Sequence, residues 1–258
     1  MEKKDILIIS QQKERLRLLV LFTLGALAIG LVGEAFKTHL VWYIRFSDFI
    51  DLLIVAPLSL LCLLFLQEHF QQENVPRWLR RGFLFFAMLY LYGHAMHMTS
   101  NTIDTFSNEI RDYGTIVPQD MSELIYYLDE ELSHWILFLS RYALIACLFV
   151  LEARYLNLLL SGSTYRLAVG AGIWYGVADA IVFVEGQTVY LLPLVLIGLG
   201  ALWIGMWKSS DLDLTSFWRA GPVVVFVTAL LPSMVIGLAA YVWLVGGFKQ
   251  FSELNLLG

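Results

Sequence analysis

Long apolar runs broken by short polar stretches dominate this chain. Seven of them approach the roughly 20 residues that a helix needs to cross a hydrocarbon core about 30 Å thick: 18–36, 49–66, 82–104, 123–151, 165–184, 188–207 and 220–246. The alternative spanning solution, a closed β-barrel, alternates apolar and polar residues with period two in short segments, and these runs do not. The pattern predicts an all-α integral membrane protein built as a seven-helix bundle. It also predicts a basic N-terminal segment (1–17), a membrane domain (18–246) and a short tail (247–258). Pro57, Pro193, Pro222 and Pro232 lie in or at the starts of spans, where kinks are expected.

Composition agrees with the pattern. The chain has 258 residues, 59 % hydrophobic and 15 % charged, with mean hydropathy +0.69. Soluble domains average about 45–50 % apolar and 25 % charged, so there are too few charges here to coat a water-soluble enzyme of this size. With 14 % aromatic residues the chain is no disordered polymer either. A net charge of −5 argues against nucleic acid as a partner and leaves the lipid bilayer as the surroundings. Cys62 and Cys147 each sit inside an apolar run and read as small buried hydrophobes. The 1–17 segment is polar and basic and precedes a span-length apolar run, so an uncleaved signal anchor is expected.

Basic residues set the expected orientation. With the N-terminus inside, Lys3, Lys4, Lys13, Arg15, Arg17, Arg77, Arg80, Arg81, Arg154, Arg166, Lys208 and Arg219 face the cytoplasm. Lys37, Arg45, Arg111 and Lys249 face outward, and Arg141 is embedded in the fourth span. That asymmetry requires an odd number of spans, with the C-terminus outside a plasma or bacterial inner membrane.

Ionisable groups inside a bilayer cost about 2.5–3.5 kcal/mol each on insertion scales and mark functional sites. Here they form stripes. On a helix, His94, His97, Asn101 and Asp104 follow an i, i+3, i+7, i+10 pattern and share a face, which Tyr90 extends. In the fourth span Glu130 and Glu131 precede His134 by four and three residues, and Tyr127 and Arg141 share its face. Rise per residue puts these stripes, together with Asp179 of the fifth span, in one layer of the outer half; a buried role as ligand or as partner of Arg141, which lies deeper, is expected for Asp179. Glu34, Asp48 and Asp51 lie nearer the outer interface, where solvation is the simpler reading. Asp129 is expected to serve the positive end of a descending helix. The small residues Gly198, Gly200, Gly205, Gly221, Gly237, Ala239 and Ala240 of the last two spans suit close helix packing.

Three imidazoles among carboxylates suit a divalent ion such as Zn or Fe. In that reading His94, His97, His134 and Asp179 hold the metal, and Glu130, Glu131 or Asp104 serves as the general base. The expected activity is then that of a membrane-embedded metal enzyme, either a hydrolase acting on a lipid or other membrane-soluble substrate or an iron-dependent oxidoreductase. Two other classes fit the same residues: a proton- or metal-ion-coupled transporter, and a structural or accessory protein whose polar layer is interhelical glue. The transporter reading is disfavoured by the lack of an inverted repeat and of further polar residues in the inner half. The layout of a metal inside seven spans resembles the membrane hydrolase superfamily that includes alkaline ceramidases and the progestin and adipoQ receptors. That family's histidine pair on the last helix has no counterpart here, since the seventh span contains no histidine, and its ligands and substrate do not carry over.

Overall fold

A computed structural model describes residues 13–23, 39–41, 44–45, 49–50, 53–54, 56–68, 75–112, 116–154 and 159–249. The outer stretch of the first expected span, together with Glu34, Asp48 and Asp51, lies outside these residues. The described chain is overwhelmingly helical, with one small antiparallel ribbon of β1 (His39–Val41) and β2 (Ile44–Arg45). After a helical stretch at 13–23 come α1 (Ala56–Glu68), α2 (Arg77–Asp112) and α3 (Gln119–Arg154), the last widened by a π-helical segment at Tyr127–Ser133. Then follow α4 (Gly162–Glu185), α5 (Leu192–Lys208), the single turn α6 (Leu214–Phe217) and α7 (Pro222–Val245).

Four of these segments are long and apolar enough to cross a membrane: α3, α4, α7, and α5 together with the 3-10 turn at Val189–Leu191. This establishes an integral, multi-pass protein. Helix α2 is long enough, at 36 residues, but its His/Asn/Asp stripe lowers its hydropathy. Helix α1 is apolar over Ala56–Leu66 but short.

Helices α4 and α7 run parallel and in close contact. A Cβ at Gly172 would strike the Phe226 carbonyl and lie 2.9 Å from Ala229 Cβ, and one at Gly176 would strike Ser233 Oγ and lie 2.7 Å from the Leu230 carbonyl. These two residues form a G-x-x-x-G pair, the spacing that lets membrane helices bring their backbones together. Further along, Gly237 of α7 sits against Val177. The expected packing glycines of the sixth span are a correction: Gly198, Gly200 and Gly205 face open space, and Ala239 and Ala240 are exposed. Helix α5 is peripheral, with only 22 % of its apolar window buried, so its small residues have no neighbour to admit. Pro193 and Pro222 stand in first turns, where no amide hydrogen is needed, and Pro232 lies inside α7.

Helix α3 runs antiparallel to both α2 and α4. Gly93 of α2 meets Leu137, and at the C-terminal end of α4 the Tyr126 hydroxyl donates to Gln187 Oε1 at 2.8 Å while Gly186 lies against the His134 ring. A buried cluster led by Leu63, Phe83, Leu144, Phe183 and Phe226 joins α1, α2, α3, α4 and α7.

Candidate functional site

One face of α3 organises the polar interior. His134, Arg141 and Glu152 are separated by seven and eleven residues, close to whole numbers of helical turns, so they stack at levels about 10 and 16 Å apart along the axis. Each level recruits partners from a different helix.

The first level joins α2 to α3. His97 Nδ1 lies 2.9 Å from Asp129 Oδ1, and its ring is 4.8 Å from that of His134. The His97–Asp129 contact is electrostatic and poorly aligned for a hydrogen bond. Asn101 Nδ2 stands 3.3 Å from His97 Nε2. His134 Nδ1 is 2.8 Å from the Glu130 carbonyl. A carbonyl can only accept, so this nitrogen donates and Nε2 is the ring's acceptor. Side-chain exposures of 26 % for His97, 27 % for Glu130, 13 % for His134 and 8 % for Asp129 make this level partly accessible.

The π-helical segment decides which acid faces inward. In a regular helix Glu130 and Glu131 would lie beneath His134, as the sequence leads one to expect. Across the π-helical segment Glu130 stays beneath His134, its Oε2 3.8 Å from His134 Nδ1, while Asp129 turns toward His97 and Glu131 lies on the exposed surface. Asp129 is therefore buried against His97, the reverse of its expected solvated role at a helix end. Glu130 is half-buried, with Asp129, His97 and Asp104 as its charged neighbours. Asp104 accepts from Asn108 Nδ2 at 2.9 Å. His94 is buried and edge-on to Tyr90, with ring centroids 4.6 Å apart. Tyr127 is exposed.

The second level joins α3 to α4. Arg141 Nη2 is 2.5 Å from Asp179 Oδ1, and the Tyr142 hydroxyl donates to Asp179 Oδ2. The guanidinium lies over the rings of Phe138, Tyr142 and Tyr175, at 4.9, 5.5 and 5.7 Å from their centroids. Of the two roles expected for Asp179, metal ligand beside the histidines or partner of Arg141, the structure shows the second, with Tyr142 added. Antiparallel register explains this. Gly186 is level with His134, so the residue seven before it, Asp179, is level with the residue seven after His134, Arg141.

The third level was not foreseen. Glu152 Oε2 accepts from the backbone amides of Val223, at 2.5 Å, and Val224, at 2.9 Å, and Arg15 Nη1 lies 3.7 Å from Oε1. An acid of α3 thus caps the N-terminus of α7, where Pro222 has no amide to offer and the dipole favours negative charge. Gly221 has φ +155° and is packed so tightly against the Glu152 carboxylate that a Cβ would clash with it. The legible signal was a single acid and base, Glu152 and Arg154, ending an apolar run.

Among the described residues no group of three or more His, Cys, Asp or Glu side chains is disposed to hold one metal ion. The expected ligands are dispersed, with His94 against Tyr90 and Asp179 against Arg141. No protein-family model matches the chain, and neither does any curated protein or solved structure.

Proposed function

We propose that this protein moves protons across the bilayer along the inner face of α3, with His97, Asp129 and His134 as the exchange site. The observation that carries this reading is the stacking of ionisable residues at three levels on one helix face. The polar series does not stop in the outer half: Arg141–Asp179 and Glu152–Arg15 continue it, which meets one of the two points against transport, the missing polar residues and not the missing repeat. Intramembrane acids and histidines with partners on neighbouring helices are the elements of proton relays. Leu144, Ile145 and Leu148, all buried, fill the stretch between the second and third levels. In this reading they are the dry barrier that closes the path. The membrane frame belongs to the same proposal: seven spans, counting α1, α2 and the segment that begins at 13–23, with the N-terminus inside and the C-terminus outside a plasma or bacterial inner membrane.

The test is proton flux in proteoliposomes carrying an internal pH dye and driven by a potassium diffusion potential. Wild type should acidify the lumen well above empty vesicles, and Asp129→Asn should slow that flux about 100-fold, the scale of losing a positioned proton carrier. Wild-type flux equal to that of empty vesicles would refute the reading.

One observation favours a second reading, the metal-dependent membrane enzyme. Two ligand atoms each about 2.1 Å from one ion sit roughly 3.0 Å apart at an octahedral centre and about 3.4 Å at a tetrahedral one, and His97 Nδ1 and Asp129 Oδ1 are 2.9 Å apart. The tie from His134 Nδ1 to a carbonyl is also how ligating histidines are oriented. His97, Asp129 and His134 would then hold Zn or Fe, with Glu130 as the nearby base and a lipid or other membrane-soluble molecule as substrate. Metal analysis of purified wild type against a His97→Ala/His134→Ala double variant distinguishes the two readings: a stoichiometric ion lost in the variant supports the enzyme.

A further inference from the structure

Away from the polar levels, the outward side of the α4–α7 pair carries an open groove of about 350 Å³. Its walls are apolar, with Ile173 and Val177 on one side and Ala229 and Ile236 on the other. At one end it is bounded by Tyr165 and by Trp218, just after α6. From Tyr165 to Val177 is twelve residues of α4, about 18 Å of rise, close to the roughly 15 Å that one leaflet contributes to the hydrocarbon core.

The aromatic end is also cationic. Arg166 is exposed beside Tyr165, and Arg219 is exposed beside Trp218. Arg219 is held in place, with Nε donating to the Leu160 carbonyl at 3.0 Å and the guanidinium 5.6 Å from the Tyr165 ring centroid. Trp and Tyr rings at one end of a membrane helix mark headgroup depth, and arginine forks bind phosphate oxygens. An apolar slot one leaflet long, opening at headgroup depth beside two arginines, matches one molecule: a phospholipid with a net negative head.

We infer that this groove is a binding site for an acidic membrane phospholipid, with its phosphate at Arg166 and Arg219 and an acyl chain lying between α4 and α7. The ligand comes from the bilayer, and its charge selects it over zwitterionic neighbours. Lys208, at the terminus of α5, belongs to the same end of the bundle, as do the exposed Asp211 and Asp213 before α6, so the selection for an anion rests on Arg166 and Arg219.

Native mass spectrometry of the full chain released from nanodiscs of equimolar phosphatidylglycerol and phosphatidylcholine tests this. Wild type should retain phosphatidylglycerol in clear excess. Arg166→Gln and Arg219→Gln should each cut that preference about 5-fold, the contribution of one arginine near an anionic surface. Ile173→Trp, which fills the slot from an exposed position, should lower retention of both lipids. Equal retention of the two lipids by wild type would overturn the inference, as would a preference unchanged in the double arginine variant. The wild-type comparison stands whether or not any variant folds.

Discussion

The Arg141 and His134 levels of α3 lie about 10 Å apart on the same face and are built to opposite ends. At Arg141 the side chains of the ion pair are 11 % and 3 % exposed, and three aromatic rings cover the guanidinium. At His134 the acids and imidazoles are up to 27 % exposed and sit in a segment whose helical geometry is widened. The first arrangement keeps a charge pair out of bulk water. The second is open to it. One helix thus carries a covered level and an accessible one, and the difference lies in what the neighbouring helices bring: rings and Asp179 in one case, a histidine and an amide in the other.

That contrast breaks most visibly at Asp179. Removing one partner of a buried pair leaves the other charge unpaired at a cost of about 3–5 kcal/mol, so Asp179→Ala should sharply lower thermal stability in detergent. A double variant, Arg141→Met with Asp179→Leu, should recover most of the loss, because apolar packing replaces the pair without an orphan charge. If the double variant melts as low as the single one, the level does more than hold helices together.

Next in size is Gly176→Val. Its added methyls meet Ser233 and the Leu230 carbonyl, and overpacking of this kind costs about 1–3 kcal/mol. It perturbs the seat of α4 without touching a charge, so a melting shift with proton flux preserved would assign α4–α7 to scaffold. At the open level Asp129→Asn should cost under about 1 kcal/mol, since the site is partly accessible and the amide keeps its volume. A large stability loss there would erase the distinction between the two levels.

The smallest effect lies outside the bundle. Asp213 caps α6, and hydrogen bonds from the Thr215 hydroxyl and from the amide and hydroxyl of Ser216 hold its carboxyl down at about 2. A carboxyl lowered on folding stabilises fully above its ordinary value near 3.9 and stops doing so as pH falls to the folded value. Asp213→Ala should therefore melt slightly below wild type at neutral pH, and the gap should close between about pH 4 and 2. A gap independent of pH would contradict the cap.

Hydropathy made the helices legible and helical spacing made the stripes legible, because both depend on local periodicity. Five of the seven expected segments, from the third to the seventh, correspond to α2, α3, α4, α5 and α7. What the stripes touch was less legible. Spacing alone puts Glu130 and Glu131 under His134; Glu130 is there, whereas Glu131 is exposed and Asp129, within the seven-residue π segment, is buried against His97. Depth counted from a shared boundary puts Asp179 with the histidines, whereas α4 ends at the level of His134, so that Asp179 lies level with Arg141. Gly172 and Gly176, at a spacing known for close helix contact, were the readable signal that went unused in favour of glycines on the peripheral helix α5. The capping of α7 by Glu152 depends on a contact between residues 71 apart in sequence and had no local signature.

The proposal that α3 carries protons stands most directly on flux through reconstituted vesicles. Under an imposed potential, wild type should move protons faster than empty vesicles, Asp129→Asn should abolish the excess, and the Arg219→Gln change at the lipid groove should leave it intact. Proton flux in the Asp129→Asn protein equal to that of wild type would contradict the account.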